Sequence, residues 1–242
     1  MYEPYESYNS ETAQVTEPEV AAYLAKVMGW MCVGLLTTLA SAIFCISNAS
    51  VAGAVYSFSP VVFILQIGVV VGLSAGLNRF SSATATVLFL LYSALTGLTI
   101  SAIYFIYELS SIIMVFGMAA LLFFTMCMYG LITRRDLSRV GSIAFMGLIA
   151  IIIAGLVNIW LRSEMIFFLV NVVGLLVFVA LTAYDVQRIK AMYVSVRGAA
   201  DNYGSVEIDE QAQKLAVYGA LSLYLDFINI FLKLLMLFGR RR

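Results

Sequence analysis

The segment Leu215-Ala-Val-Tyr-Gly-Ala-Leu-Ser-Leu-Tyr-Leu-Asp-Phe-Ile-Asn-Ile-Phe-Leu-Lys-Leu-Leu-Met-Leu-Phe238 decides the class of this protein. As an α-helix it is about 36 Å long at 1.5 Å per residue, enough to cross a hydrocarbon core of about 30 Å. Ser222, Asp226, Asn229 and Lys233 interrupt it at spacings of four, three and four, which puts all four on one stripe. A carboxylate at the centre of a membrane helix costs about 2.5–3.5 kcal/mol on insertion scales, so this stripe must face protein or water. Lys233 lies near the helix end and is expected to snorkel to the headgroups. Asp226 is too deep and too short to do so. It needs a proton, a cation or a hydrogen-bonding partner.

The rest of the chain agrees on the solvent. Of its 242 residues, 62% are hydrophobic and only 12% charged, where a soluble domain carries about 25% charge. Apolar runs predict seven spans, at 24–46, 61–77, 84–107, 111–132, 142–161, 165–184 and 215–238. The prolines, at 4, 18 and 60, lie outside or at the edge of these spans, so no span carries a proline kink. The fold class expected is an all-α integral membrane protein, a seven-helix transmembrane bundle. Residues 21–242 form that domain, and no stretch remains for a soluble catalytic one. Residues 1–20 hold five glutamates, two prolines and no Lys or Arg. They lack the basic start and apolar core of a secretory signal and read as an acidic disordered tail.

Lys26, Arg79, Arg134, Arg135, Arg139, Arg188, Lys190, Arg197 and Lys214 fall on one side of a seven-span topology. Arg162, Lys233 and Arg240, Arg241 and Arg242 fall toward the other. This bias favours a cytoplasmic N-terminus, against the pull of the terminal arginines. A last segment that re-enters would reverse the side of the C-terminus. Residues 215–238 are long enough to cross.

Cys32, Cys45 and Cys127 lie inside apolar spans and read as small buried hydrophobes. The chain has no histidine, which excludes His-based zinc sites, His haem ligation and Ser-His hydrolysis. A pH response near neutrality therefore cannot come from imidazole, and perturbed carboxylates become the leading candidates. Gly68, Gly72 and Gly76 form two overlapping GxxxG units on the second span. This pattern predicts close helix packing or, alternatively, a smooth face on which that helix slides as a gate. Ser93, Thr96, Gly97, Ile100 and Tyr104 give the third span a small or polar inward face, as a pore lining or a helix contact. Asn158 and Asn171 carry the same two readings.

Asp185, in Thr182-Ala-Tyr-Asp-Val-Gln187, ends the sixth apolar run, whereas Asp226 lies mid-helix. The two carboxylates meet if the sixth span is shifted inward or if a water-filled cavity enters. Otherwise Arg188, three residues on, pairs with Asp185 locally.

Three stretches carry a resemblance covering nearly all of residues 20–240. They are Tyr92-Ser-Ala-Leu-Thr-Gly-Leu-Thr99, Thr182-Ala-Tyr-Asp-Val-Gln187 and Gly219-Ala-Leu-Ser-Leu-Tyr-Leu-Asp-Phe-Ile-Asn-Ile-Phe231. With them the chain resembles the Bax inhibitor family (transmembrane Bax inhibitor motif proteins), most closely its bacterial branch. Val186 stands where the family usually has Thr, which leaves both carboxylates in place. The resemblance implies a seven-helix fold with the last helix central and six others around it. It implies a pH-sensitive calcium leak across a bacterial inner membrane, governed by an aspartate pair matching Asp185 and Asp226. It also implies an arginine of the second helix latched to that pair. Arg79, just beyond that span, is the candidate latch, with Arg188 as a second. No enzyme activity is implied.

The physics of such a pair fits the role. Two carboxylates in one site do not readily both ionise, and they titrate as a unit. With one shared proton the pair locks spans six and seven together. Without it, the charge of −2 separates the helices and attracts a divalent cation. Calcium takes six to eight oxygens, of which Asp185, Asp226, Ser222 and Asn229 offer a few. The expected metal site is therefore a transient calcium on Asp185 and Asp226, with calcium as the transported ion and no resident cofactor. Expected partners are the lipid bilayer, calcium and a membrane protein partner; no nucleic acid is expected.

The alternatives are a proton-coupled cation transporter and a membrane partner that modulates a protease complex. The contact surfaces for the second would be residues 1–19 and the 191–213 loop, with Asp201, Glu207, Asp209 and Glu210. An intramembrane aspartyl protease also places aspartates on consecutive helices. This chain has Leu223-Tyr-Leu-Asp226 where those enzymes have Gly-x-Gly-Asp, and no Pro-Ala-Leu follows.

Overall fold

The computed structural model describes residues 16–75, 80–198 and 205–242. They form helices α1 (Glu17–Ser47), α2 (Ala49–Ser57), α3 (Ser59–Ala75), α4 (Ser82–Ile100) and α5 (Ile103–Ile106). The remaining helices are α6 (Leu109–Ile132), α7 (Ser138–Leu161), α8 (Glu164–Gly198) and α9 (Ser205–Phe238). Among the described residues there is no strand, only an isolated bridge between Tyr107 and Arg241. Six helices are long and apolar enough to cross a membrane, and the α2–α3 pair, bent by 76°, brings the number to seven. The outer surface is what lipid requires: Leu121 is 72% exposed, Ile132 68% and Trp160 79%.

Six of the seven expected spans are present as single long helices. The second, 61–77, falls on α3, which is long enough to cross only together with α2. Polar residues that hydropathy cannot place revise the ends. α1 begins at Glu17, because Thr16 caps it and the Glu19 carboxylate accepts from the Thr16 amide at 2.9 Å. Residues 1–15 of the expected tail lie outside the described residues. α2 has no counterpart among the expected spans; its short, half-apolar sequence folds against α1 around Cys45, Ala52 and Val55. The third span is interrupted after Ile100. There the Ser101 hydroxyl bonds the Leu98 carbonyl at 2.6 Å and Cys45 Sγ at 3.2 Å, with the Tyr56 hydroxyl 3.2 Å away.

The 191–213 stretch is not one loop: α8 runs to Gly198 and α9 starts at Ser205. Of its acidic residues, Asp209 pairs with Arg197 at 3.6 Å and Glu210 with Lys214 at 3.2 Å. Asp201 and the Glu207 side chain lie outside the described residues.

α9 is the central helix. Of its apolar window 56% is buried, against 17–33% for the other five spanning helices. It packs on α8, α1, α6 and α4. The six-helix wrap implied by resemblance is therefore partial, since α7 is carried on α8 and α3 on α4. The inward face of α4 proves to be a helix contact. Thr38 Oγ1 of α1 reaches the Ser93 carbonyl at 3.0 Å and the Tyr224 hydroxyl at 2.6 Å, tying α1, α4 and α9 together.

Close backbone approach occurs at Gly97, where a Cβ would collide with the Thr38 carbonyl and the Ser41 hydroxyl. It does not occur at Gly68 or Gly72, where a Cβ would meet nothing within 4 Å. The packing reading of the GxxxG pattern therefore fails for those two residues, and Gly76 lies outside the described residues. Cys45 and Cys127 are buried as expected, whereas Cys32 is exposed on the outer surface. Asn158 caps a turn by accepting from the Ser163 amide at 2.9 Å, and Asn171 is buried with its amide on the Phe167 carbonyl.

Candidate functional site

α8 and α9 form a long antiparallel hairpin whose register decides the site. Gly219 faces Ile189, Ser222 faces Asp185, Asp226 faces Thr182, and Lys233 faces Gly174. In this register Asp185 and Asp226 lie about one helical turn apart, roughly 5 Å along the axis. The meeting the sequence left open thus occurs. It happens because α8 continues well past Asp185, so that residue sits inside the hairpin and not at its edge.

Asp226 is 4% exposed, and its Oδ2 has no hydrogen-bond partner among the described residues. Its neighbours are the Thr182 hydroxyl, the Asp185 charge and the Cys127 thiol of α6. The Thr182 hydroxyl donates to the Phe178 carbonyl at 2.8 Å. Asp185 is partly exposed, beside the Ser222 hydroxyl and the Arg188 charge. No carboxylate lies within 4 Å of Arg188 among the described residues. Arg188 is a neighbour of the pair and not a closed latch. Arg79 lies outside the described residues.

The pair opens into a cavity of about 1270 Å³. α8 and α9 form its floor, α3 and α7 its sides, and Tyr92 of α4 contributes one wall. The cavity follows from the fold, since α3 and α7 each pack on an intermediary helix and leave α9 uncovered between them. Ser222, Asp226, Asn229 and Lys233 all line it, so the whole α9 stripe faces it. Asn229 donates to the Leu225 carbonyl at 2.8 Å, which leaves its Oδ1 as an acceptor. The stem of Lys233 packs against α8. Its Cε lies along Gly174 of α8, where a Cβ would stand 2.9 Å away. Among the described residues no group of three or more Asp, Glu, Cys or His gathers to hold a metal.

Two supports lie within the Thr182–Gln187 stretch, though their spacing alone gave no sign of what they hold. Tyr184 lies against Gly141 of α7, where a Cβ would stand 2.5–2.7 Å from the ring. Gln187, two residues on from Asp185, clamps the α6–α7 connection. Its Oε1 accepts from the Leu137 amide at 2.8 Å and its Nε2 donates to the Arg135 carbonyl at 2.9 Å. Within that connection, hydrogen bonds from Ser138 hold the Asp136 carboxyl below the usual carboxylate range. Gln187→Leu is expected to release this clamp at a cost of about 1.4 kcal/mol. The Leu137 amide should then exchange about tenfold faster with deuterium, a result that unchanged exchange would contradict.

The family model described as "Inhibitor of apoptosis-promoting Bax1" matches residues 20–242. The chain belongs to the Bax inhibitor family. Inner membrane protein YbhL of Escherichia coli strain K12 is 43% identical over 223 residues, covering 91% of this chain and 92% of that protein. An uncharacterized protein of Borreliella burgdorferi matches at 43% over 223 residues, with the same coverage. One from Deinococcus radiodurans matches at 35% over 225 residues, 93% of each chain. This Bax inhibitor family member is a multi-pass membrane protein, and its carboxylate pair lies on its two longest helices.

Proposed function

We propose that the protein is a pH-sensitive calcium leak, gated by Asp185 and Asp226. The observation that carries this reading is an acidic pair one turn apart on the central hairpin, opening into a cavity that α3 and α7 leave uncovered. At low pH a shared proton holds α8 to α9. As pH rises the pair loses it, the charge of −2 pushes the helices apart, and a divalent cation becomes the counter-charge. Ser222 and Asn229 add oxygens, and water completes the shell, an arrangement suited to passage and not to storage. The expected setting is a bacterial inner membrane with a cytoplasmic N-terminus; the name of the Escherichia coli relative supports the first.

Calcium flux into proteoliposomes, read against pH, tests this. Flux that rises with pH supports it, and flux that is absent or flat overturns it. Lys233 stands two turns beyond Asp226, about 10 Å along α9. At that distance a unit positive charge opposes a divalent cation by about 1–3 kcal/mol for effective dielectric constants of roughly 80 to 20. Lys233→Gln should therefore raise flux at fixed pH by about fivefold at the weak end of that range and about a hundredfold at the strong end. Unchanged flux would place the route away from this residue.

A further inference from the structure

At the opposite edge of the bundle the chain ends in Gly239-Arg-Arg-Arg242, and these arginines are held, not trailing. The Glu108 amide donates to the Arg240 carbonyl at 3.1 Å, and the Arg242 amide donates to the Ile106 carbonyl at 3.0 Å. The Arg240 amide donates to the Ser111 hydroxyl at 2.9 Å. The Arg242 guanidinium lies over the Tyr104 ring, 4.8 Å from its centroid. No carboxylate comes within 4 Å of any of the three among the described residues. Glu108 is the one acidic residue of the segment they are pinned to.

Tyr104 is also a wall of a second cavity, of about 410 Å³, between α1, α4, α6 and α9. Its other walls are nearly all apolar, among them Leu39, Ile43, Leu109 and Phe116. Leu39 is 56% exposed and Ile43 55%, so the groove opens on the lipid-facing surface. An apolar slot thus opens on the outer surface of the bundle, and a fixed cation lies over its Tyr104 wall, just past the C-terminal end of α9.

We infer that this groove and the terminal arginines form an anionic phospholipid site. An acyl chain lies along α1 and α6, and its phosphate is held by Arg240, Arg241 and Arg242. Guanidinium matches phosphate in paired hydrogen bonds. Pinning the backbone beforehand reduces the ordering needed on binding. Charge selects the headgroup: a zwitterionic lipid would bring its own cation against three arginines, whereas phosphatidylglycerol would not. The site is separate from the carboxylate cavity, and its test does not depend on flux.

Full-length protein in neutral detergent is offered dioleoylphosphatidylglycerol or dioleoylphosphatidylcholine, and bound lipid is counted by native mass spectrometry. Phosphatidylglycerol should be retained about tenfold better. That preference should vanish in R240Q/R241Q/R242Q, and retention should fall in Ile43→Trp, which fills the groove. Soluble glycerophosphate should not displace the lipid. Equal retention of the two lipids, an undiminished preference in the triple variant, or displacement by glycerophosphate would each overturn the site. If the triple variant is not monodisperse, Arg242→Gln alone puts the same question.

Discussion

Asp226→Asn should abolish the pH dependence of calcium flux. Asparagine keeps the shape of the side chain in a position that is 4% exposed, so the helix contacts survive. What it removes is the second negative charge. In the wild type the charge of the pair changes as its shared proton leaves, and flux should rise about tenfold per pH unit until the pair is fully ionised. In the variant only Asp185 can ionise, the net charge never reaches −2, and the repulsion that separates α8 from α9 is lost. Asp185→Asn should flatten the profile in the same way. It leaves Asp226 in its buried niche beside Thr182 and Cys127, where an unpaired charge is costly. Reconstituted vesicles of the three proteins, compared over about two pH units, decide the matter. A variant that kept the wild-type slope would show that the response arises elsewhere.

Gly97→Val should strongly destabilise the protein, while Gly72→Ala should not harm it. At Gly97 a Cβ falls on the Thr38 carbonyl oxygen, a backbone atom that moves only if α1 and α4 separate. Separation breaks the 3.0 Å bond from the Thr38 hydroxyl to the Ser93 carbonyl, and so opens the buried hydroxyl network that also holds Tyr224 of the central helix. Overpacking of about 1–3 kcal/mol and a lost buried hydrogen bond of about 0.5–1.5 kcal/mol together remove a large share of a typical stability of about 5–15 kcal/mol. At Gly72 a Cβ meets open space, and alanine gains up to about 1 kcal/mol of helix propensity. Thermal midpoints of purified protein in detergent should fall sharply for the first variant and hold or rise for the second. The reverse order would mean that the glycine stripe of α3 is the helix interface after all.

That contrast marks where reading the sequence ends. GxxxG spacing identifies a smooth face but not whether anything lies against it. Gly97, which the sequence placed on a small, polar face with pore lining and helix contact both open, carries the tight contact because a hydroxyl network on α1 and α9 draws the helices together there. Gln187 is similar: its amide acts on a connection some 50 residues earlier in the chain, and no local spacing encodes that.

By itself the sequence determined the solvent, the seven spans and the polar stripe of α9, because each depends on the free energy of placing side chains in hydrocarbon along one helix. It also singled out Asp185 and Asp226. Only the tertiary structure decided that the two lie together. Rise per residue fixes position along a helix and says nothing of how far one helix slides past its neighbour. That slide was set by contacts such as Gly219 on Ile189 and Gly174 on Lys233. The same packing left α3 and α7 short of the central helix, and so made the cavity that gives the carboxylates somewhere to face.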